Sequence, residues 1–403
     1  MRGLITVGLS QVDRFGQGIR QSTKVKIMKK PYLDYYSNHN IIPVRQDVEN
    51  LKTHLTRREG LYRSLGIIPA LLAGKSVVEL GPGTGDNAMF TAHLMPGRYL
   101  LVDGNQSSLN EVRAKLTSNK LRGNISVVDS DILEFTEDGQ FDVVLCEGVI
   151  PNQANPSAFL RHVCRLAKVG GVVVLTTMSA TSLLAEVCRR VLKPIIAGGM
   201  SFDQSLPAMT AFFAPDLKSL RGMSRRHEDW VLDNILHPWG NMIFTIPDVI
   251  AAVGDDFDFH GSSPHFMTDW RWYKEIVTED FGFNRRANEC YWKNSAAFID
   301  YRCDPSAASD CDGAKVEELC HVAFDLQQEI WTGNIEGKLP DFVDKVDEIA
   351  DTVAPILAQT AESLRNFTEF TRGIVQGKKD FELSAFRPLF GRGQQYVSLV
   401  RRG

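Results

Sequence analysis

The chain has 403 residues, too many for one minimal domain; at roughly 150 residues per domain it divides into two or three units. A composition of 43% hydrophobic and 23% charged residues is that of an ordinary folded protein. The formal net charge of -4 argues against a protein whose main task is gripping nucleic acid, because that affinity comes largely from neutralising phosphates.

Seven cysteines, at positions 146, 164, 188, 290, 303, 311 and 320, form no C-x-x-C pair. Neither a zinc site nor a disulfide framework is indicated, and no other metal site is expected; buried thiols in a reducing compartment are the simpler reading. No apolar run approaches the ~20 residues of a membrane span, so the expected location is the cytoplasm. Residues 1–30 read as a mobile basic tail (Arg2, Arg14, Arg20, Lys24, Lys26, Lys29, Lys30) whose apolar stretch is too short for a secretory signal. Met28 is an alternative start, which leaves open whether residues 1–27 belong to the native protein.

Residues 31–73 form an N-terminal helical segment, with Val48, Leu51, Leu55, Tyr62 and Leu65 near helical spacing and breaks allowed at Gly60 and Gly66. From 74 to 180 the pattern changes. Short apolar runs at Val77–Leu80, Tyr99–Val102, Ile125–Val128, Phe141–Leu145 and Val172–Leu175 alternate with helical stretches around 86–95, 107–119 and 156–168. Near-continuous apolar strands alternating with helices predict a doubly wound, mostly parallel Rossmann-like sheet. Residues 181–244 read as an insertion, helical to 196 and irregular over 197–244. A helix at 246–253 and a sixth strand near Asp256–His260 continue the core over 245–265. Residues 266–393 are expected to be a mainly helical cap: 266–300 is aromatic-rich and helical, and 314–376 holds two helices broken near Gly333, Gly337 and Pro340. Gln395–Val400 alternates like a last strand, within 394–403. The α/β fold is then a sheet of about seven strands with an inserted helical cap.

The most informative stretch runs from Ser76 to Asp86, SVVELGPGTGD. A strand enters a turn with glycine at every second position, and a helix follows. Glycines there let the backbone turn tightly and let a ligand lie against it. The dinucleotide spacing G-x-G-x-x-G fails, since Asp86 occupies the third-glycine position. Glu79, two residues before the first glycine, suits a cationic ligand and does nothing for a pyrophosphate.

On these residues the chain resembles the class I S-adenosylmethionine-dependent methyltransferases, whose first motif is (E/D)-x-G-x-G-x-G. The resemblance implies S-adenosylmethionine as cofactor, with Glu79 near its methionine end and Gly81, Gly83 and Gly85 lining its bed. Asp103 ends the second strand, where an acidic side chain can accept from both ribose hydroxyls. Asp131 would take the adenine amine, and Ile132 would pack on the ring. Arg58, one helical turn before Tyr62, can hold the methionine carboxylate by a bidentate pair, with a solvated helix face as the alternative.

Ligands of an open α/β sheet bind beyond the carboxyl ends of the strands, so the loop after strand four, with Glu147 and Gln153, is the first place for the acceptor. It lacks the (D/N)-P-P-(Y/F/W) pattern of amino-methylating DNA enzymes. Glu147, His265 and His237 are candidate bases, each with a structural alternative. Asp269, Trp270 and Tyr273, in an aromatic cluster after strand six, suit a flat hydroxylated ligand. Residues 36–44 and 390–396 are similar to bacterial methyltransferases of surface-polysaccharide and sugar-modifying pathways. The expected partner is therefore a small-molecule or glycan substrate methylated at a hydroxyl, without nucleic acid and without a membrane span. Methylation at nitrogen or of a protein or lipid, a non-catalytic scaffold and a nicotinamide-dependent oxidoreductase remain as alternatives.

Overall fold

The structure, a computed structural model, describes residues 51–119, 123–223, 225–277, 282–378 and 382–403. The expected basic tail, the first part of the N-terminal helical segment and the 36–44 motif lie outside them. Seven strands, β1 (Ser76–Leu80), β2 (Arg98–Asp103), β3 (Ile125–Asp129), β4 (Phe141–Cys146), β5 (Ala167–Thr177), β6 (Phe257–Ser263) and β7 (Gln395–Arg401), form one sheet in the order β3-β2-β1-β4-β5-β7-β6. Neighbours are parallel except β7, which is antiparallel to both β5 and β6. This is the doubly wound, mostly parallel Rossmann-like architecture.

The helices of eight residues or more among the described residues are α1 (Leu51–Ser64), α2 (Asp86–His93), α3 (Gln106–Ser118), α4 (Pro156–Arg165), α5 (Ala180–Ile196), α6 (Phe202–Ser219), α7 (Ile246–Val253), α8 (Phe283–Asn294), α9 (Gly313–Trp331), α10 (Ile335–Val353) and α11 (Ala358–Val375). Both faces of the sheet are covered, which is why its strands are apolar at consecutive positions. Val77, Tyr99, Leu101, Val143 and Leu145 point to the face packed by Tyr62, Ala88, Met89 and Val112 from the first three helices. The alternate residues Val78, Leu80, Leu100, Val102 and Val144 pack on Phe159, Val163, Val249 and Tyr291 of α4, α7 and α8.

A third core lies in a helical cap built from two separate stretches of chain. The first leaves the sheet after β5 and returns through a bridge between Met178 and Phe244. The second leaves after β6 and returns at β7, where Ser263 pairs with Tyr396. Both are thus rooted at the carboxyl ends of the parallel strands. Buried polar groups join them: Glu317 of α9 accepts from the backbone N–H groups of Ala180 (2.7 Å) and Thr181 (3.0 Å), which start α5. Arg189 of α5 pairs with Asp216 of α6 at 3.1 Å and donates to the carbonyl of Leu389 at 2.8 Å.

Three expectations in this region are corrected. Residues 202–219 are helical and not irregular, despite Pro207 and Pro215 inside the helix, because Met209, Phe213 and Leu217 recur at helical spacing toward the cap core. Residues 314–376 hold parts of three helices, not two: the expected break near Gly333 separates α9 from α10, Pro340 sits inside α10, and a second break falls at Ala354–Leu357, where Pro355 stops the helix. Residues 266–277 carry no helix beyond one turn at Tyr273–Glu275, and among the described residues the long helix of the aromatic-rich stretch begins at Phe283.

Candidate active site

The turn after β1 carries three glycines with positive φ: 70° at Gly81, 55° at Gly83 and 80° at Gly85. These are conformations that side chains disfavour. A Cβ at Gly81 would lie 2.7 Å from Val149 Cγ2, whereas one at Gly83 would meet nothing within 4 Å, which makes Gly83 the open floor of a cradle. Asp103, at the end of β2, accepts from the N–H of Asn105 at 2.8 Å. Burial raises its carboxyl above the usual range, while the amides of Asn105, Gly83 and Gly104 oppose that rise and tie it to the glycine turn. Asp131 opens the loop after β3 and accepts from the N–H of Leu133 at 3.0 Å; Ile132 packs half-buried against the core below β1 and β2.

A cluster of charges lies on the α1 face, at the carboxyl ends of β1 and β4. Glu79 shares the face of Val77 and hydrogen-bonds the Tyr99 hydroxyl. Burial, reinforced by the charge of Glu147, pushes its carboxyl up to about 7; Tyr99 and Arg58 pull the other way. Glu147 follows β4 directly and takes a two-point ion pair from Arg58, both contacts being 2.8 Å. Asn87 donates to the same carboxylate at 3.3 Å. The Arg58 guanidinium sits 5.0 Å from the centre of the Tyr62 ring, and Tyr62 hydrogen-bonds Thr91 at 2.7 Å. Burial disfavours the Arg58 charge, yet Glu147, Tyr62 and Tyr396 together outweigh it and raise the group well above its ordinary range.

The remaining candidates lie elsewhere. Gln153 belongs to the loop after β4 and donates to the Val149 carbonyl at 3.1 Å. His237 is buried in the cap, where its carbonyl accepts from Arg190 at 2.9 Å; burial lowers its imidazole to about 4. His265 is exposed. Asp269 pairs with Arg271, whose hydrogen bonds hold its carboxyl down at about 2. Trp270 is 93% and Tyr273 70% exposed. Their segment starts at the upper end of α8, where Asn294 donates to the Phe266 carbonyl, and runs along that helix to Arg286, which donates to the Thr268 carbonyl. The opposite end of α8 sits at the start of β6, with Asn284 bonded to Phe257. The structure therefore leads these residues away from the glycine turn, outside the group formed by Arg58, Glu79 and Glu147.

Residues 71–197 match a family model described as a methyltransferase domain. The chain carries a class I S-adenosylmethionine-dependent methyltransferase domain. The domain is 30% identical over 164 residues to the ubiquinone/menaquinone biosynthesis C-methyltransferase UbiE of Vibrio parahaemolyticus, covering 39% of this chain and 60% of that one. With the protein of the same name from Hydrogenovibrio crunogenus it shares 26% identity over 215 residues, 51% of this chain and 78% of the relative. The chain thus spans about 60% of the length of the first of these relatives. Among solved structures, PKMT2 from Rickettsia typhi is 15% identical with a TM-score of 0.42, covering 58% of this chain and 49% of that one. A SAM-dependent methyltransferase from Aquifex aeolicus is 17% identical with a TM-score of 0.26, covering 32% and 73%. Likeness at that level says nothing about the acceptor.

The methyltransferase domain has S-adenosylmethionine as its cofactor, and the residues present fit it. The open floor at Gly83 admits a ligand against the backbone, Asp103 stands at its edge, and the charge cluster suits a group bearing both signs. Reasoning from the sequence alone missed Tyr99, Thr91 and Asn87. For Tyr99 a signal existed: parallel pairing sets it opposite Val77, on the face that Glu79 shares.

Proposed function

We propose that the protein is an S-adenosylmethionine-dependent methyltransferase acting on a polar small molecule, a glycan-linked sugar among them, that carries an ionisable hydroxyl. The observation that carries this reading is one buried arginine, paired with Glu147 and in electrostatic reach of a second buried carboxylate, Glu79, beside the glycine turn. Such a group has one carboxylate more than its guanidinium can neutralise, and a ligand with an ammonium and a sulfonium supplies the balance.

When bound, the cofactor supplies a methyl group already activated on sulfur. Gly81, Gly83 and Gly85 let the backbone approach it, Asp103 accepts from the ribose hydroxyls, and Asp131 and Ile132 hold the adenine. Arg58 takes the methionine carboxylate, and Glu79 faces the positive charge. Glu147 takes the proton from the acceptor hydroxyl, and Gln153, on the same loop, orients the acceptor. Holding the acceptor in line with the methyl group accounts for much of the rate. His237 and His265 have no part in this scheme, one being sealed in the cap and the other lying outside the group around Arg58.

A second reading is favoured by the curated relatives, whose names specify methylation at carbon. A hydroxyl next to the reacting carbon would activate it on losing its proton, so the same carboxylate would serve. The test is turnover with two acceptor panels, sugars and sugar nucleotides against phenols and hydroquinones, followed by mass spectrometry and carbon NMR of the product. Transfer to oxygen in the first panel supports the main reading, and a new carbon–methyl bond in the second supports the alternative. Methylation of amines alone would overturn both.

A further inference from the structure

The guanidinium of Arg58 is almost fully committed. Its Nη1 and Nη2 donate to the two oxygens of Glu147, each at 2.8 Å, and Nη2 also donates to the Tyr62 hydroxyl at 3.3 Å. Nε is buried and finds no acceptor among the described residues, on a side chain packed against the Tyr62 ring. With Nε buried, the two-point edge of the guanidinium is the Nη1–Nη2 edge, and Glu147 already holds it. The pair itself is nearly closed to solvent, with side-chain exposures of 6% for Arg58 and 11% for Glu147. Asn87, at the start of α2, offers Glu147 a second partner at 3.3 Å.

We infer that Glu147 and the cofactor's α-carboxylate compete for the same edge of Arg58, so that the arriving amino-acid head displaces Glu147 and frees it to act as the base. The inference rests on the methyltransferase reading above. An arginine offers its two-point geometry to one carboxylate at a time along a given edge. Exchange of one carboxylate for another is nearly balanced, so in the wild-type protein the head adds little net affinity. While both of its oxygens face Arg58, Glu147 is not turned toward an acceptor hydroxyl. Displacement releases them and leaves Asn87 to hold Glu147. The base thus becomes available only once the cofactor is seated.

Two ligands separate the head from the rest: S-adenosylhomocysteine carries it, whereas 5′-methylthioadenosine keeps the adenosine and the thioether without it. Their dissociation constants are measured by calorimetry for wild type, Glu147→Gln and Glu147→Asp, with thermal melting as the check on folding. In Glu147→Gln the preference for S-adenosylhomocysteine over methylthioadenosine should rise about tenfold, because a neutral amide competes less well for the guanidinium. Glu147→Asp keeps the charge but shortens the reach, and should give a smaller rise in the same direction. A preference that is unchanged or falls in both variants would mean that Glu147 shares the ligand with Arg58 and does not compete with it, and the inference fails. If wild type binds neither ligand, the methyltransferase reading itself fails and takes this inference with it.

Discussion

Two buried clusters of charge, one at the carboxyl ends of β1 and β4 and one inside the cap, use the same side chains in opposite proportion. In the cap, Asp216 is fully buried between two arginines, Arg189 at 3.1 Å and Arg387. The remaining positive charge is met by Glu186, whose carboxyl burial raises to about 7 against the pull of Arg189, and by the chain itself: Arg189 donates to the carbonyls of Arg387 and Leu389, and its guanidinium lies 4.1 Å from the centre of the Phe390 ring. Around β1 and β4 the count is reversed, with Arg58 facing Glu147 and Glu79. Among the described residues no cation pairs directly with the second carboxylate, Glu79, which accepts from the Tyr99 hydroxyl, and burial raises it to about 7. The first cluster is complete and joins two stretches of chain. The second, once Glu79 is ionised, holds one carboxylate more than it has cations, which is the electrostatic form of a cation site.

The largest effect should come from breaking the complete cluster. Asp216→Ala leaves two arginines without their carboxylate, and urea unfolding should show a loss of about 3–5 kcal/mol. A loss below about 1 kcal/mol would mean that the carbonyls and rings suffice, and the contrast between the clusters would weaken. Next in size is Asp103→Ala, which should leave folding intact while weakening S-adenosylhomocysteine binding ten- to a hundredfold, or about 1.5–3 kcal/mol, by calorimetry. Unchanged affinity would remove Asp103 from the cofactor site.

The imbalance at Glu79 sharpens the comparison through pH. Its folded-state pKa, about 7, lies above the ordinary 4.5, so the stability it contributes is fully present below pH 4.5 and is lost as pH rises toward 7. Glu79→Gln should therefore raise the melting temperature at pH 8 and leave it nearly unchanged at pH 4.5. In the wild type, a positively charged cofactor draws Glu79 into its ionised form. Binding of S-adenosylmethionine at pH 7 should release up to about half a proton, read from calorimetry in buffers of different ionisation enthalpy. Proton uptake would show that Glu79 does not face the cofactor's charge. The smallest effect is expected on the exposed side: Trp270→Ser and Tyr273→Ser should change S-adenosylhomocysteine affinity by less than about twofold, since neither ring is packed against the site. A larger drop would bring the segment after β6, expected from the sequence at the acceptor, into the cofactor site.

Much of the sheet was legible before any coordinates, because strands buried on both faces write themselves as consecutive apolar residues, and the glycine turn has few other uses at the end of such a strand. The helices of the cap were harder to read. Pro207 and Pro215 signal a break, yet burial of Phe213 and Leu217 in the cap core overrides the local preference, and at Pro355 the opposite happened: an amphipathic pattern reads through a proline that ends the helix.

By itself, then, the sequence determined the order of strands and helices from β1 to β5, the cradle at Gly81–Gly85 and the carboxylates at strand ends, since each depends on neighbours within a few residues. Only the tertiary structure decided which charges meet. Arg58 and Glu147 are 89 residues apart, and Arg189 reaches a carbonyl 200 residues away. Such pairings depend on how the strands are ordered and where the two insertions leave and rejoin the sheet. Local pattern carries no record of that, because the energy of a buried charge is set by whatever the fold brings against it.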